Sequence, residues 1–220
     1  MRDIVVFGTG QIAELAQFYF QHDSAYVVKA FVVDGAFKKE DNFCGKPVVA
    51  FEEVQAAFPP SDFDAFVAVS YSKINAVRAD KVGALRDRGY ALASYISSRA
   101  TIFPGSEPGP NAFILEDNTI QPFVKIGANV TLWSGNHIGH HSVIEDNVFI
   151  ASQVVISGNC RIGERSFIGV NATLRDGITI GARSVIGMGA CILADCEAES
   201  VFPAPKSEPA AVKSSRLRSI

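Results

Sequence analysis

The chain is short of the residues that hold metals, disulfides and membrane anchors. Among 220 residues there are four cysteines, four histidines, two methionines and one tryptophan. Cys44, Cys160, Cys191 and Cys196 fall in no metal-type spacing, which points to reduced thiols in a cytoplasmic protein. No apolar run approaches the roughly 20 residues that cross a bilayer, and no basic start leads into an apolar signal core, so neither membrane insertion nor export is expected. An excess of positive charge is missing too. Twenty lysines and arginines against 23 acids leave a formal net charge of −3, which argues against a nucleic-acid partner. What is present, 48% hydrophobic and 20% charged residues, suits one large or two small globular domains.

The second half carries a strict repeat. Isoleucine or leucine stands at every sixth position from Ile114 to Ile192 without exception. A period of six is neither the 3.6 of an amphipathic helix nor a simple alternation, and it marks a solenoid of hexapeptide units. Four residues after each aliphatic comes a mostly small or β-branched residue, as at Val124, Val130, Ser142, Val148, Cys160, Ser166 and Ala172. Glycine often follows the aliphatic directly, as at Gly127, Gly139, Gly163, Gly169, Gly181 and Gly187, where a tight corner is expected to need permissive backbone angles. The pattern predicts a left-handed parallel β-helix over 112–197, in which three hexapeptides make one triangular coil of about eighteen residues and coils stack at roughly the 4.8 Å strand spacing.

The first half reads differently. Asp3–Phe7 is an apolar strand that runs into Gly8-Thr9-Gly10, followed by helical spacing from Gln11 to Gln21. Strands are expected at 27–33, 47–51 and 63–70, and helices at 52–58 and 75–88. Strand, turn, helix and strand in this order predict a small Rossmann-like α/β domain over 1–97, a linker over 98–111 and, beyond the solenoid, a tail over 198–220. The glycine turn at Gly8 and Gly10 puts backbone N–H groups and a helix N-terminus where a nucleotide phosphate can bind, although only two glycines of the dinucleotide fingerprint are present. Asp34, at the end of the second strand, either hydrogen-bonds a ribose or base or caps the next turn.

Three of the four histidines, His137, His140 and His141, crowd into one coil. His140 and His141 follow an Ile-Gly corner, which is expected to keep them out of the apolar interior and within reach of a ligand or partner. Imidazole is the natural general base near neutral pH. Some hexapeptide β-helices are carbonic anhydrases whose three-histidine zinc site joins different coils, with one histidine well upstream of the other two; here only His22, in the other domain, precedes the cluster, so no metal is expected.

The segments VVFGTGQIAELA, VAVSYSKINAVR and GNHIGHHSVIEDNVFIASQVVISG, in this order and with a hexapeptide solenoid, resemble the sialic-acid O-acetyltransferase-like sugar acyltransferases. These include acetyl-CoA-dependent N-acetyltransferases acting on nucleotide-linked amino sugars of bacterial surface glycans. The resemblance implies a homotrimer with active sites between neighbouring solenoids, CoA along the coils, and the nucleotide-sugar on the N-terminal domain. His140 matches the family's catalytic histidine, and His141 falls where an acidic neighbour is usual, so any supporting carboxylate must come from elsewhere. Phe149 replaces a second family histidine. Gly158 matches a glycine whose N–H binds the thioester carbonyl, and Val170 and Met188 match positions lining the CoA groove. Gly10, Gln11, Asp34 and Ser70 fall on nucleotide-sugar contacts, with Ser70-Tyr71 in place of the usual Gly-Asn or Gly-Asp. Tyr71, Asn136 and His137 are grouped with the substrate contacts, and Phe149 with the cofactor contacts.

The resemblance thus implies acetyl transfer from acetyl-CoA to the amine of a nucleotide-linked deoxyamino sugar. An amine is favoured over a hydroxyl because His140 lacks its acidic neighbour and a hydroxyl leans harder on a strong base. Two alternatives stay open: O-acetylation, and a non-catalytic nucleotide-sugar-binding scaffold, which the two departures from the family pattern would suit.

Overall fold

A computed structural model of the chain describes residues 2–216. The N-terminal unit runs β1 (Arg2–Phe7), α1 (Gln11–His22), β2 (Tyr26–Val33), β3 (Asn42–Phe43), β4 (Lys46–Ala50), α2 (Val54–Ala57), β5 (Phe63–Val67) and α3 (Ala76–Asp87). The sheet order is β3-β4-β2-β1-β5, parallel except for β3 on its edge. Strand β1 is central and covered on both faces, which is why Ile4, Val5, Val6 and Phe7 form an unbroken apolar run in place of an alternation. Ile4 and Val6 face Phe20 of α1, while Val5 and Phe7 face Val82 and Leu85 of α3. The expected strand over 63–70 stops at Val67, and the expected helix over 52–58 is a 3₁₀ turn, Phe51–Glu53, leading into one turn of α-helix.

The repeat folds into three parallel sheets of two-residue strands that fit a left-handed β-helix. The first face stacks Tyr95–Ile96, Phe113–Ile114, Thr131–Leu132, Phe149–Ile150, Phe167–Ile168, Val185–Ile186 and Val201–Phe202; the second runs from Thr101–Ile102 to Cys191–Ile192; the third from Lys125–Ile126 to Thr179–Ile180. The aliphatic column and the small column behind it form one buried core. Its polar members are satisfied within the coils: the Ser142 hydroxyl donates to the Ser157 carbonyl at 3.1 Å and accepts the Cys160 N–H at 3.1 Å.

Two expectations are corrected. The solenoid begins at Tyr95 and ends at Phe202, so 98–111 is no free linker: Thr101–Ile102 pairs with Thr119–Ile120, and the tail starts after Phe202. Ile96 and Ile102 stay in the six-residue register, but Pro108 stands where the next aliphatic belongs and hides them from the unbroken run; at the other end Phe202 pairs with Ile186 only sixteen residues on, out of register. Of the expected tail, residues 217–220 lie outside the described residues.

The glycines after the aliphatics are not the left-handed corners. Positive φ recurs two residues later, at Asn129, His141, Asn147, Gln153, Asn159, Arg165, Asn171 and Arg183. The glycines are there for close approach: a Cβ on Gly139 would stand 2.5 Å from the Gly158 backbone nitrogen, and one on Gly163 2.4 Å from that of Ala182. Asparagines eighteen residues apart stack at other corners, Asn111 donating to Asn129 at 2.8 Å and Asn129 to Asn147 at 2.7 Å.

The N-terminal unit is clamped to the first face by Arg78, which is 2% exposed and pairs with no carboxylate among the described residues. Its guanidinium donates to the carbonyls of Asn147 (2.9 Å) and Val148 (3.3 Å) and to the Thr131 hydroxyl. Burial pulls the group down to about 9, which leaves it charged at neutral pH. Asn75 donates alongside to the carbonyls of Arg165 at 2.9 Å and Ser166 at 3.2 Å. Arg78→Met strands these buried acceptors, and about 2–4 kcal/mol of stability is expected to go with them. A thermal melt should register a Tm lower by roughly 5–10 °C; an unchanged Tm would mean that the clamp contributes nothing.

Candidate functional site

His140 stands on the corner between the second and third faces, one coil before Gly158 and two before Asp176. The three share one column because a coil is eighteen residues long, as the pairing of Ile138 with Ile156 and of Ile156 with Leu174 records. Both neighbouring histidines are exposed, and His141 takes the left-handed corner at φ 59°. The His140 backbone N–H donates to Gln121 Oε1 at 2.9 Å. Its Nδ1 lies 3.1 Å from His141 Nδ1, so one ring donates to the other. The His141 ring rests 4.7 Å from that of Phe123.

The other edge of the His140 ring hangs over Gly158. A Cβ there would meet His140 Cε1 at 2.7 Å, His140 Nε2 at 2.8 Å and Asp176 Oδ1 at 3.0 Å. Gly158 is buried, and its N–H finds no acceptor among the described residues. A basic nitrogen and a free backbone donor therefore share one notch. Beneath it, burial pushes the Cys160 thiol up and the Asp176 charge adds to the effect.

The other histidine-coil residues separate from this notch. His137 sits partly exposed on the second face, between Thr119 and Val155. Asn136 is a correction: it is 1% exposed, donates to Asn118 Oδ1 at 2.9 Å and accepts the Val154 N–H at 2.8 Å, so it braces two coils and leaves nothing for a substrate.

Of the expected cofactor residues, Gly158 stands in the histidine notch, while Phe149, Val170 and Met188 gather by the opposite edge of the second face, at the corner it shares with the first. Val170 and Met188 border a cavity of about 310 Å³ whose walls include Tyr71, Trp133, Phe149 and Phe167. Phe149 stacks on Phe167 with centroids 5.6 Å apart. Tyr71, grouped with the substrate contacts, packs instead over both rings at 5.1 and 4.8 Å and joins this aromatic cluster. Sequence reading missed Trp133 and Phe167, although Phe149 and Phe167 are one coil apart.

In the N-terminal unit, Gly8 has φ 125° and a Cβ on it would lie 2.7 Å from the Ala68 carbonyl oxygen, so only glycine fits this turn. Gly10 is the N-cap of α1, and the N–H groups of Gln11 and Ile12 have no acceptor among the described residues. Beside this turn lies a cavity of about 220 Å³ lined by Thr9, Val33, Phe37, Lys39, Glu40 and Phe43. Asp34 opens the next 3₁₀ turn, Gly35–Phe37, but its side chain does not cap it: the carboxylate pairs with Lys81. Ser70 Oγ lies 3.5 Å from Ser72 Oγ. No three His, Cys, Asp or Glu side chains among the described residues converge as a metal site.

Comparison with known proteins adds a class to this geometry. Residues 123–158, 141–176 and 159–194, all within the solenoid, match the family described as bacterial transferase hexapeptide (six repeats). No curated protein matches the chain. Among solved structures, the acetyltransferase domain of PglB from Neisseria gonorrhoeae is similar at 23% identity and a TM-score of 0.82, over 96% of this chain and 100% of that one. WeeI from Acinetobacter baumannii is similar at 21% identity and TM-score 0.79, over 92% and 97%. A mutant perosamine N-acetyltransferase from Caulobacter crescentus, in complex with CoA and GDP-perosamine, is similar at 21% identity and TM-score 0.70, over 93% and 94%. The shared fold spans both halves of the chain.

Proposed function

We propose that the protein is an acetyl-CoA-dependent N-acetyltransferase that acts on the amino group of a nucleotide-linked deoxyamino sugar. The observation that carries this reading is the notch in which His140 Nε2 lies 2.8 Å from where a Gly158 Cβ would stand, at a glycine whose N–H has no acceptor among the described residues. Named structural neighbours bind the matching pair of substrates: the PglB domain is in complex with acetyl coenzyme A, and the Caulobacter enzyme with CoA and GDP-perosamine.

The chemistry is direct transfer. His140 donates its Nδ1–H to His141, which leaves the Nε2 lone pair in the notch. The amine attacks the thioester carbonyl carbon, its proton passes to His140 Nε2, and the Gly158 N–H holds the oxyanion. Collapse expels the CoA thiolate, which takes the proton back from His140. No covalent enzyme intermediate is needed, since positioning both substrates supplies the rate.

The N-terminal unit is assigned to the nucleotide as a Rossmann-like domain. Its parallel strands run β4-β2-β1-β5, so the connection reverses between β1 and β5, where such folds bind ligands. The Gly8–Gln11 turn and Ser70 follow β1 and β5 at that point, and the cavity beside Thr9 opens on the other side of β1, against Val33 of β2 and Val48 of β4.

The active unit in this reading is a homotrimer. The histidine corner and the aromatic cavity border opposite edges of the second face, whose outward residues Thr101, Thr119, His137, Val155, Thr173 and Cys191 include no acid, lysine or arginine. One chain cannot close that gap. In a ring, the histidine corner of one copy meets the cavity of the next, which holds CoA along Val170 and Met188. Light scattering at micromolar concentration should report three chains; a stable, active monomer would remove the shared site.

In this reading the reaction runs in the cytoplasm, where acetyl-CoA and nucleotide-sugars are supplied. No described helix is long and apolar enough to cross a membrane. The test is thiol release from acetyl-CoA on adding UDP-, GDP- and dTDP-linked amino sugars and their matched hydroxy compounds. Preference for a hydroxy compound would replace this reading with O-acetylation, and silence with every acceptor would leave the scaffold.

A further inference from the structure

The notch holds a second acceptor that the transferase reading leaves unused. Asp176 Oδ1 lies across Gly158 from the His140 ring: the point where a Gly158 Cβ would stand is 2.8 Å from His140 Nε2 and 3.0 Å from Asp176 Oδ1. The two are not in direct contact, since neither a hydrogen bond nor an ion pair joins them. They are opposite walls of one gap, open only because residue 158 has no side chain.

Asp176 also lacks a structural duty. Its exposed carboxylate makes no hydrogen bond or ion pair with any described residue, its neighbour Arg175 included. Another corner shows what a structural carboxylate does in this solenoid: Asp146 Oδ1 takes the Ala128 N–H of the preceding coil at 2.8 Å. Asp176 leaves the equivalent N–H of Gly158 free.

We propose that His140 Nε2 and Asp176 Oδ1 form a two-acceptor seat for the acceptor amine, which makes Asp176 the residue that selects an amine over a hydroxyl. The proposal rests on the transferase reading above. A donor with two hydrogens spans two acceptors; a donor with one does not. The neutral amine gives one N–H to His140 Nε2, and this proton leaves as the N–C bond forms. Its other N–H points to Asp176, stays on nitrogen throughout and becomes the N–H of the amide product. A hydroxyl gives its only hydrogen to His140, and its oxygen lone pairs then face the Asp176 carboxylate, which repels them. An acceptor that arrives as an ammonium is also drawn to Asp176 by charge and loses its extra proton to solvent before attack.

The experiment compares wild type with Asp176→Asn and Asp176→Ala on the best amino-sugar nucleotide of the UDP-, GDP- and dTDP-linked panel and on the same compound bearing a hydroxyl. For the amine, kcat/KM is expected to fall about 10–100-fold, as for loss of a hydrogen bond to a charged group. For the hydroxy compound it should hold or rise, so that the amine-to-hydroxyl ratio collapses. KM for acetyl-CoA and the Tm should both stay near wild type. Equal losses on both acceptors, or none on the amine, would overturn the seat even though the enzyme remains an N-acetyltransferase. Calorimetric binding of the two nucleotide-sugars reads the seat without turnover: Asp176→Asn should weaken only the amine, and an unchanged preference would sink the proposal whatever the fate of the transferase reading.

Discussion

His140→Ala is expected to lower kcat by about 10²–10⁴-fold with the fold intact. The size follows from the role, because a general base is needed only as the transition state forms, so its loss falls on kcat more than on either KM. The intact fold follows from position. The imidazole is exposed, and its only polar side-chain partner among the described residues is His141. The hydrogen bond to Gln121 comes from the backbone N–H and survives substitution. His141→Ala should cost less, since it removes the ring that orients His140 and not the base itself. Near-wild-type turnover by His140→Ala, with loss in His137→Ala or His141→Ala, would move the base elsewhere.

Gly158→Ala should be nearly as damaging, lowering kcat by roughly 10²–10³-fold: the backbone N–H remains, but the methyl takes the place of the reacting groups and displaces the base. The added methyl would lie 2.7 Å from His140 Cε1 and 3.0 Å from Asp176 Oδ1, so it fills the notch and pushes the imidazole away. Both obstacles are ends of exposed side chains that can swing outward, and Gly158 has no positive φ, so the coil itself tolerates alanine. Gly139→Ala is the control. Its methyl would stand 2.5 Å from the backbone nitrogen of Gly158, which cannot move aside without shifting a coil. Gly139→Ala should therefore lower the Tm markedly, while Gly158→Ala leaves it close to wild type. Equal kcat for Gly158→Ala and wild type would show that the open space beside residue 158 is not where the acceptor reacts.

What the sequence by itself determined is everything that repeats. The six-residue aliphatic column specified a solenoid before any strand was seen, because each unit places one side chain inward and only stacked coils can bury it. The small column behind it was legible for the same reason, and so was the unbroken apolar run of β1, which announces a strand covered on both faces. His140 also stood out locally, as a basic residue beside a corner in a chain with few histidines. Asn136 stood out in the same way and misled, because its neighbours in sequence are the histidines while its neighbours in space are Asn118 and Val154. The glycines after each aliphatic were visible, but their reason was not: the constraint on Gly139 is the backbone of Gly158, one coil away. Arg78 gave no signal at all, since nothing along the chain says that its acceptors are carbonyls about seventy residues on. Tertiary structure alone decided that His140, Gly158 and Asp176 share one notch and that Val170 and Met188 lie across a face from it. The physical reason is that burial and period act along the chain, whereas a site in a solenoid is read across coils, where spacing of eighteen residues becomes contact.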